Sequence, residues 1–171
     1  MPAQDQKQNA IQLLIADHRT VEGLFEAFEN ASRDGRKEKL ARRICLELKV
    51  HAMLEEEIFY PALRGKIEED DLDEAYVEHD GAKMLINEIE AGGPDDDFYD
   101  AKVHVLMEQI EHHVEEEEKI RGNLFQQARA ADVDLEALGE RMAARKAELL
   151  QRAENEGLPP AEPATLTSAE I

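Results

Sequence analysis

The chain has 171 residues, of which 42% are hydrophobic and 35% charged, and 40 acidic against 20 basic residues give a net charge of −20 at pH 7. A surface this acidic repels phosphate backbones, which argues against nucleic-acid binding. The single cysteine excludes an intrachain disulfide, and no apolar stretch approaches the roughly 20 residues that cross a bilayer.

Apolar residues recur at steps of three and four in five segments, and this period predicts five helices and no strand. The helices cover approximately residues 7–31, 36–63, 70–90, 98–129 and 135–153. We expect Asp70 or Asp71 to cap the third helix and Asp132 or Asp134 to cap the fifth. The segment AGGPDDD at 91–97 separates the third helix from the fourth.

Four long amphipathic helices joined by short turns predict an all-α protein with an up-down four-helix bundle and an additional C-terminal helix. The bundle is expected to occupy residues 1–131, and the fifth helix, within residues 132–156, to pack on or near it. Residues 157–171 contain three prolines and few groups to bury. We expect this tail to be disordered.

Polar residues interrupt the apolar stripe of each bundle helix. His18 in the first helix and His79 in the third stand where an apolar residue is expected. The second and fourth helices each carry a histidine followed four residues later by a glutamate. Positions four apart in a helix lie within about 40° of each other, so both members of each pair face the core. These pairs are His51 with Glu55 and His113 with Glu117.

This set of four imidazoles and two carboxylates predicts a metal site. A lone core histidine is more often structural than a ligand, but a buried carboxylate costs several kcal/mol unless it is paired or metal-bound. Mixed imidazole and carboxylate donors without thiolate favour iron, with manganese and zinc as alternatives. Six donors are too many for one tetrahedral zinc and suit two metal ions.

Other polar residues have weaker claims to such a site. His112 with Glu116 has the same spacing but points away from the apolar stripe, and His104 is expected to be exposed. Glu47 either orients an imidazole or forms an exposed salt bridge, and Tyr76 either packs in the bundle or reaches the metals. The remaining glutamates of the acidic runs are expected to be solvated or to lie outside the ligand shell; they are Glu56, Glu57, Glu115, Glu116 and Glu118.

Four motifs in this order resemble those of the hemerythrin-like family, the HHE cation-binding domains, in its stand-alone bacterial form. They are ADH at 16–18, HAMLEEEIFYP at 51–61, EHD at 78–80 and HHVEEEE at 112–118. The resemblance extends over about residues 11–125. It implies a four-helix bundle with a non-haem di-iron centre bridged by oxide or hydroxide. The implied ligands are His18, His51, Glu55, His79, His113 and Glu117.

Two positions depart from that family pattern. Oxygen-carrying members have a further histidine where this chain has Lys83, which argues against simple reversible oxygen carriage. Lys83 also changes the charge of the site and is a candidate to fill the vacated space. KIRGN at 119–123 replaces the apolar segment and proline found after the fourth-helix motif in many relatives.

The resemblance implies a di-iron protein that binds or reacts with a small ligand such as O2, H2O2 or NO, with catalytic turnover left open. The alternatives are an iron-, oxygen- or redox-sensing module that acts through a protein partner, a metal buffer, and a metal-free bundle that tolerates polar core residues. The N-terminus lacks a cationic segment followed by an apolar run. We therefore expect a cytoplasmic protein with no membrane partner.

Overall fold

The computed structural model describes residues 7–166, and every regular element in that range is helical. Two five-residue π-helical turns, π1 and π2, directly follow α2 and α5. The elements are α1 (Ala10–Asn30), α2 (Asp34–Leu54), π1 (Glu55–Phe59), α3 (Tyr60–Leu63), α4 (Glu69–Ala91), α5 (Tyr99–Val114), π2 (Glu115–Lys119), α6 (Leu124–Ala130) and α7 (Leu135–Glu156).

The bundle consists of α1, the continuous rod α2–π1–α3, α4, and the rod α5–π2. Helix α1 packs mainly on α2, and α4 packs on both α5 and α2, while α7 lies across α1 and α2. This confirms the predicted all-α bundle with an additional C-terminal helix. No helix in the described range is long and apolar enough to cross a membrane.

The apolar core is divided into two clusters along the bundle axis. In α1, Leu14 belongs to one cluster and Val21 to the other, and in α4 the same division separates Leu72 from Ile86. In α1, α4 and the rod α5–π2 the inner polar residues fall between these clusters, and in the second rod His51 and Glu55 lie beside Val50 and Leu54 at the edge of the first cluster. A polar layer therefore crosses the middle of the bundle with apolar packing on both sides.

Side-chain caps fix only some of the helix ends. The Asp134 side chain accepts from the backbone N–H of Ala137 at 3.0 Å and so caps α7, as one of the two sequence alternatives predicts. The cap predicted at Asp70 or Asp71 is wrong. Helix α4 begins at Glu69 without a side-chain cap, and both aspartates lie in its first turn. Their negative charges interact favourably there with the positive end of the helix dipole.

The turn π1 changes which residues of the second rod face the core. Five turns of a regular α-helix contain 18 residues, so Ala62 would face the same way as Ile44. Instead Leu63 is fully buried and Ala62 only partly. The backbone N–H of Tyr60 bonds to the carbonyl of Glu55, five residues back, and this wider turn delays the helical phase by one residue.

The predicted continuation of the fourth helix to about residue 129 is wrong. The helix ends at π2, Ile120 takes an extended conformation, and Gly122 has a φ of +76°, which glycine adopts without steric cost. Asn123 then caps the short helix α6 by accepting from the N–H of Gln126 at 2.9 Å. Ile120, which continues the apolar stripe of Leu106 and Ile110 in the sequence, is therefore exposed.

The predicted disorder of the tail does not describe residues 157–166, which we call the C-terminal strap. The strap runs without regular structure across α4, and Asn87 both donates to the carbonyl of Ala161 and accepts from its N–H, at 2.9 and 2.8 Å. These bonds give the backbone of a proline-rich segment fixed partners. Residues 167–171 of the predicted disordered tail lie outside the described residues.

Candidate metal centre

The structure brings the six residues of the predicted ligand set together in the polar layer of the bundle. All six side chains are buried, and Glu55 and Glu117 are only 0% and 1% exposed. Their burial follows from helical spacing, because each glutamate stands four residues after a buried histidine; Glu55 is the first residue of π1 and Glu117 is the third residue of π2. The six are His18, His51, Glu55, His79, His113 and Glu117.

The four imidazoles form two pairs. The Nε2 atoms of His18 and His51 are 3.2 Å apart, and so are those of His79 and His113. All four Nε2 atoms thus point to the interior. Two like-oriented nitrogens this close require a proton or a cation between them, because the lone pairs of two neutral acceptors repel each other.

Each buried carboxylate contacts both pairs. Glu117 places one oxygen 3.3 Å from Nε2 of His18 and the other 3.2 Å from Nε2 of His113. Glu55 pairs through one oxygen with Nε2 of His51, and its other oxygen lies 3.6 Å from Nε2 of His79. Both glutamates therefore have the position of a bridge between two sub-sites.

Among the six inner residues, donor atoms close enough to surround one cation fall into two groups, and within each group they lie no more than 4.8 Å apart. One group is His18, His51, Glu55 and Glu117, and the other is Glu55, His79 and His113. Glu55 belongs to both groups. Two adjacent cation positions with a shared carboxylate are thus compatible with the geometry.

Several donor atoms of the centre lack a hydrogen-bond partner among the described residues. These atoms are Oε1 and Oε2 of Glu55, Oε2 of Glu117 and Nδ1 of His79. Their contacts with neighbouring ionisable groups are ion-pair distances without hydrogen-bond alignment. A buried carboxylate oxygen without a partner costs free energy, and a bound cation would remove that cost. The residues present therefore fit a metal centre.

An outer ring of carboxylates faces the Nδ1 side of the imidazoles. The distances are 3.2 Å from His18 to Glu118, 3.3 Å from His51 to Asp17, 3.4 Å from His79 to Glu56 and 2.8 Å from His113 to Glu78. The contact to His79 is an ion-pair distance without hydrogen-bond alignment. A carboxylate at Nδ1 holds that nitrogen protonated and leaves Nε2 free for a metal.

The sequence contains a signal for this outer ring that the stripe analysis does not use. Asp17 and Glu78 directly precede His18 and His79 in the sequence, and Glu56 and Glu118 directly follow the two inner glutamates. The acidic neighbour of each inner residue lies about 100° around the helix. There it reaches the far side of an imidazole on the adjacent helix.

Tyr60 belongs to the centre although sequence reasoning missed it. Its hydroxyl donates to Oε1 of Glu117 at 2.6 Å and lies 3.4 Å from Nε2 of both His79 and His113. Burial, together with the charges of Glu117 and Glu55, raises the pKa of this hydroxyl well above its ordinary value. Tyr60 therefore stays protonated and serves as a hydrogen-bond donor.

Burial and neighbouring charges shift the pKa values of His18 and His51 in opposite directions. Burial lowers the pKa of His18 and favours its neutral form. For His51, burial also acts to lower the pKa, but the carboxylates of Glu55 and Asp17 outweigh it and raise the pKa to about 10. The nearby imidazoles in turn lower the pKa of Glu55 against the effect of burial. Without a metal, the centre holds ionised carboxylate next to protonated imidazole.

The weaker candidates lie away from the centre. His112 is exposed beside Glu78 and Glu116, and His104 is exposed beside Glu29 and Glu108, as expected. Glu47 contacts no imidazole, because it forms a salt bridge with Arg43. Tyr76 packs its ring edge against Tyr60 under the guanidinium of Arg64 and has the expected packing role.

Lys83 lies outside the inner donor set. Its ammonium nitrogen is 2.8 Å from Oε1 of Glu56 and donates at 3.0 Å to the carbonyl of Glu162 in the strap. The lysine thus connects the outer carboxylate of His79 to the strap.

Comparison with known proteins agrees with this geometry. The family model of the hemerythrin HHE cation-binding domain matches residues 9–125. A DNA nickase from Nostoc sp. is 30% identical over 124 residues, which are 70% of this chain, and the chain spans only 35% of that protein's length. The crystal structure of a hemerythrin HHE cation-binding domain-containing protein from Mycobacterium kansasii superposes with a TM-score of 0.70. That match covers 88% of this chain and 95% of the other at 23% identity, and it shows a shared fold.

Proposed function

Because the chain belongs to the hemerythrin HHE cation-binding family, we propose that its buried centre holds two iron ions and binds or reacts with a small ligand such as O2, H2O2 or NO. The proposed ligands are the six side chains of the polar layer. The observation that carries the proposal is the pair of buried glutamates, each of which contacts both histidine pairs and has at least one oxygen without a hydrogen bond.

The donor chemistry is compatible with iron. Imidazole and carboxylate donors bind iron, manganese and zinc, and the only cysteine, Cys45, packs in the apolar cluster away from the centre. Two divalent ions would bring four positive charges to two inner carboxylates, which leaves charge for a bridging anion. Manganese and zinc remain the competing metals in any measurement of content.

A bound iron pair would supply electrons and open coordination positions for the small ligand. The protein's own residues prepare the centre for it. The outer carboxylates hold the imidazoles with Nε2 inward, and Tyr60 fixes one oxygen of Glu117. The apolar clusters on both sides limit the entry of water, which strengthens electrostatic interactions inside.

The activity named for the Nostoc relative is not proposed for this chain. The chain corresponds to about a third of that protein, and its net charge of −20 disfavours contact with DNA. The alternative is a sensing role, in which a protein partner would recognise the iron-loaded or iron-free state of the centre and the iron would carry out no reaction.

Removal of single ligands tests the proposed centre. We expect about two irons per wild-type chain, fewer than one in His51→Ala and Glu117→Ala, and a lower melting temperature for both, because metal binding stabilises the folded state. Elemental analysis and thermal unfolding measure these quantities. The exposed residues His104 and Glu111 provide matched controls, and His104→Ala and Glu111→Ala should keep the full content.

Full iron content with unchanged melting in both His51→Ala and Glu117→Ala would refute this ligand set. Anaerobic titration of the ferrous protein with O2, H2O2 and NO, followed by optical spectra, then separates binding from turnover. Spectra that do not change with any of the three would refute the proposed reactivity while leaving the metal site intact.

A further inference from the structure

A cavity of about 420 Å³ opens beside the metal centre and extends to the C-terminal strap. His18, His51, His79 and His113 contribute to its lining at the centre, and Leu158, Pro159 and Pro160 contribute on the strap side. Seven charged residues also line the cavity, and the rest of the wall includes apolar side chains from four helices. These apolar side chains are Val21, Leu48, Ala82, Ile86, Ile110 and Val114.

The cavity is much larger than a small inorganic ligand requires. One water molecule takes up about 30 Å³ in the liquid, and a diatomic gas is of similar size. Sites for organic small molecules typically measure about 300–1,000 Å³. The volume beside the centre falls in the second class.

The charged groups at the mouth of the cavity are already paired. The ammonium nitrogen of Lys49 lies 3.0 Å from a carboxylate oxygen of Glu90, and that of Lys83 lies 2.8 Å from Glu56. Arg152 also lines the cavity, and its Nε lies 3.3 Å from a carboxylate oxygen of Glu156. An anionic ligand would have to displace a carboxylate from one of these three cations. The chemistry of the walls and mouth therefore suits an uncharged molecule.

The strap closes the cavity through specific contacts. Asp80, which is fully buried, accepts from the backbone N–H groups of Ala164, Thr165 and Leu166 at 2.7–2.8 Å and from the Thr165 hydroxyl at 2.6 Å. Charge-assisted bonds of this kind are among the stronger ones in proteins. The enclosure of the cavity is thus a stable feature of the fold.

We propose that this cavity binds an uncharged apolar organic molecule between the metal centre and the C-terminal strap. The apolar walls determine the chemical class of the ligand, since burial of apolar ligand surface is the main favourable contribution that they make to the free energy of binding. A ligand in this position lies against the imidazoles of the centre. The site goes beyond the proposed reaction with a small inorganic ligand, because its occupancy does not depend on iron.

A neutral fluorophore tests this site in the full chain, with and without iron. We expect N-phenyl-1-naphthylamine to bind saturably, and decanol to displace it at lower concentration than decanoate. Ala82→Leu should weaken binding at least about tenfold, or 1.4 kcal/mol, because the added side chain fills the cavity. The same change at exposed Ala144 of α7 should leave affinity unchanged.

Ile110→Phe fills the cavity from α5 and provides an independent variant if Ala82→Leu does not fold, as judged by circular dichroism. The proposal is overturned if the wild-type chain binds the fluorophore no better than it binds at random surface sites, or if a folded filling variant binds as tightly as Ala144→Leu. Stronger displacement by decanoate would overturn the uncharged class. Iron content is measured separately, so failure of the metal proposal would not imitate any of these results.

Discussion

The two ring nitrogens of each inner histidine have different surroundings. In His113, Nδ1 lies 2.8 Å from the Glu78 carboxylate, while Nε2 faces Glu117 and the second imidazole of its pair. The outer carboxylate thus decides which nitrogen carries the proton and which can bind a metal. Since His18, His51 and His79 repeat this division, the orientation of the inner donors depends on the ring of outer acids.

Cys45 provides a test of burial at the scale of one residue. Its side chain is fully buried, and burial together with the charge of Glu90 raises its thiol pKa to about 12. The thiol stays protonated at pH 8, so we expect iodoacetamide to modify the native chain far more slowly than the chain unfolded in urea. Mass spectrometry of the time course measures both rates.

The same shift fixes the sign of the pH effect on stability. The pKa of the Cys45 thiol is higher in the folded chain than its value of about 8.5 in the unfolded chain. Its contribution to stability is therefore fully present below about pH 8.5 and is lost as the pH rises towards 12. Rapid modification of Cys45 in the native chain at pH 8 would contradict the prediction.

At the residue scale, the sequence predicts the positions of the inner set but not all of its neighbours. The spacing of His51 and Glu55 on an apolar stripe is enough to place both side chains inside. Tyr60 is nine residues after His51, and in a regular helix these two would lie about 180° apart. Only the wider turn at π1 moves Tyr60 to the inner face, and no period in the sequence announces that turn.

At the element scale, α7 crosses the beginning of α1 at a glycine. A Cβ on Gly139 would lie 2.7 Å from the backbone carbon of Asn9 and 2.8 Å from the nitrogen of Ala10. Backbone atoms cannot move aside as a side chain can. The absence of a side chain at Gly139 is what lets the additional helix lie directly on the bundle.

Gly139→Ala should therefore lower the free energy of unfolding by about 1–3 kcal/mol, because the methyl group forces the two helices apart. Gly23→Ala is the matched control. Gly23 is exposed within α1, with no atom within 4 Å of its added Cβ, and alanine there should stabilise by up to about 1 kcal/mol. Urea unfolding of the metal-free chains measures both, and equal midpoints for the two variants would contradict this account of the crossing.

Helix existence follows from the sequence better than helix continuity. The apolar period locates all four bundle rods, yet it extends the fourth through Gly122, where the chain turns. The apolar spacing shows which face of a helix is buried. It does not reveal a turn when the apolar residue after the turn still falls at the helical spacing. Leu124, which continues the same apolar stripe in the sequence, is buried, but it belongs to a new helix, α6.

At the scale of the whole molecule, the strap connects the end of the described chain to the mouth of the cavity. Composition predicts disorder for this segment because it contains little to bury. Its order comes instead from polar side chains of α4, since Asp80 and Asn87 bind strap backbone. Such partners are distant in sequence, and composition carries no information about them.

Truncation after Glu156 removes the strap and should speed the removal of iron by 2,2′-bipyridine under reducing conditions. We expect an increase of at least about tenfold, because opening no longer has to break several hydrogen bonds worth about 1 kcal/mol each. Absorbance of the chelate gives the rate. Truncation after Leu166 keeps the strap and is the control, and equal rates for both truncated chains would contradict a closing role.

The wide turn π1 accommodates one extra residue in the second rod without changing which residues after it face the core. An extra residue in a helix normally rotates everything after it by about 100°, but π1 absorbs that rotation, so Leu63 meets the core as though the chain were one residue shorter. Deletion of exposed Glu57 would turn the rod into one uninterrupted α-helix and keep the apolar residues before and after it in register. His51 and Glu55 precede the deleted residue, and Tyr60 after it would keep its inner face, so both the packing and the inner donors should survive the loss. This stretch of the helix is therefore a place where the chain tolerates a change of one residue in length.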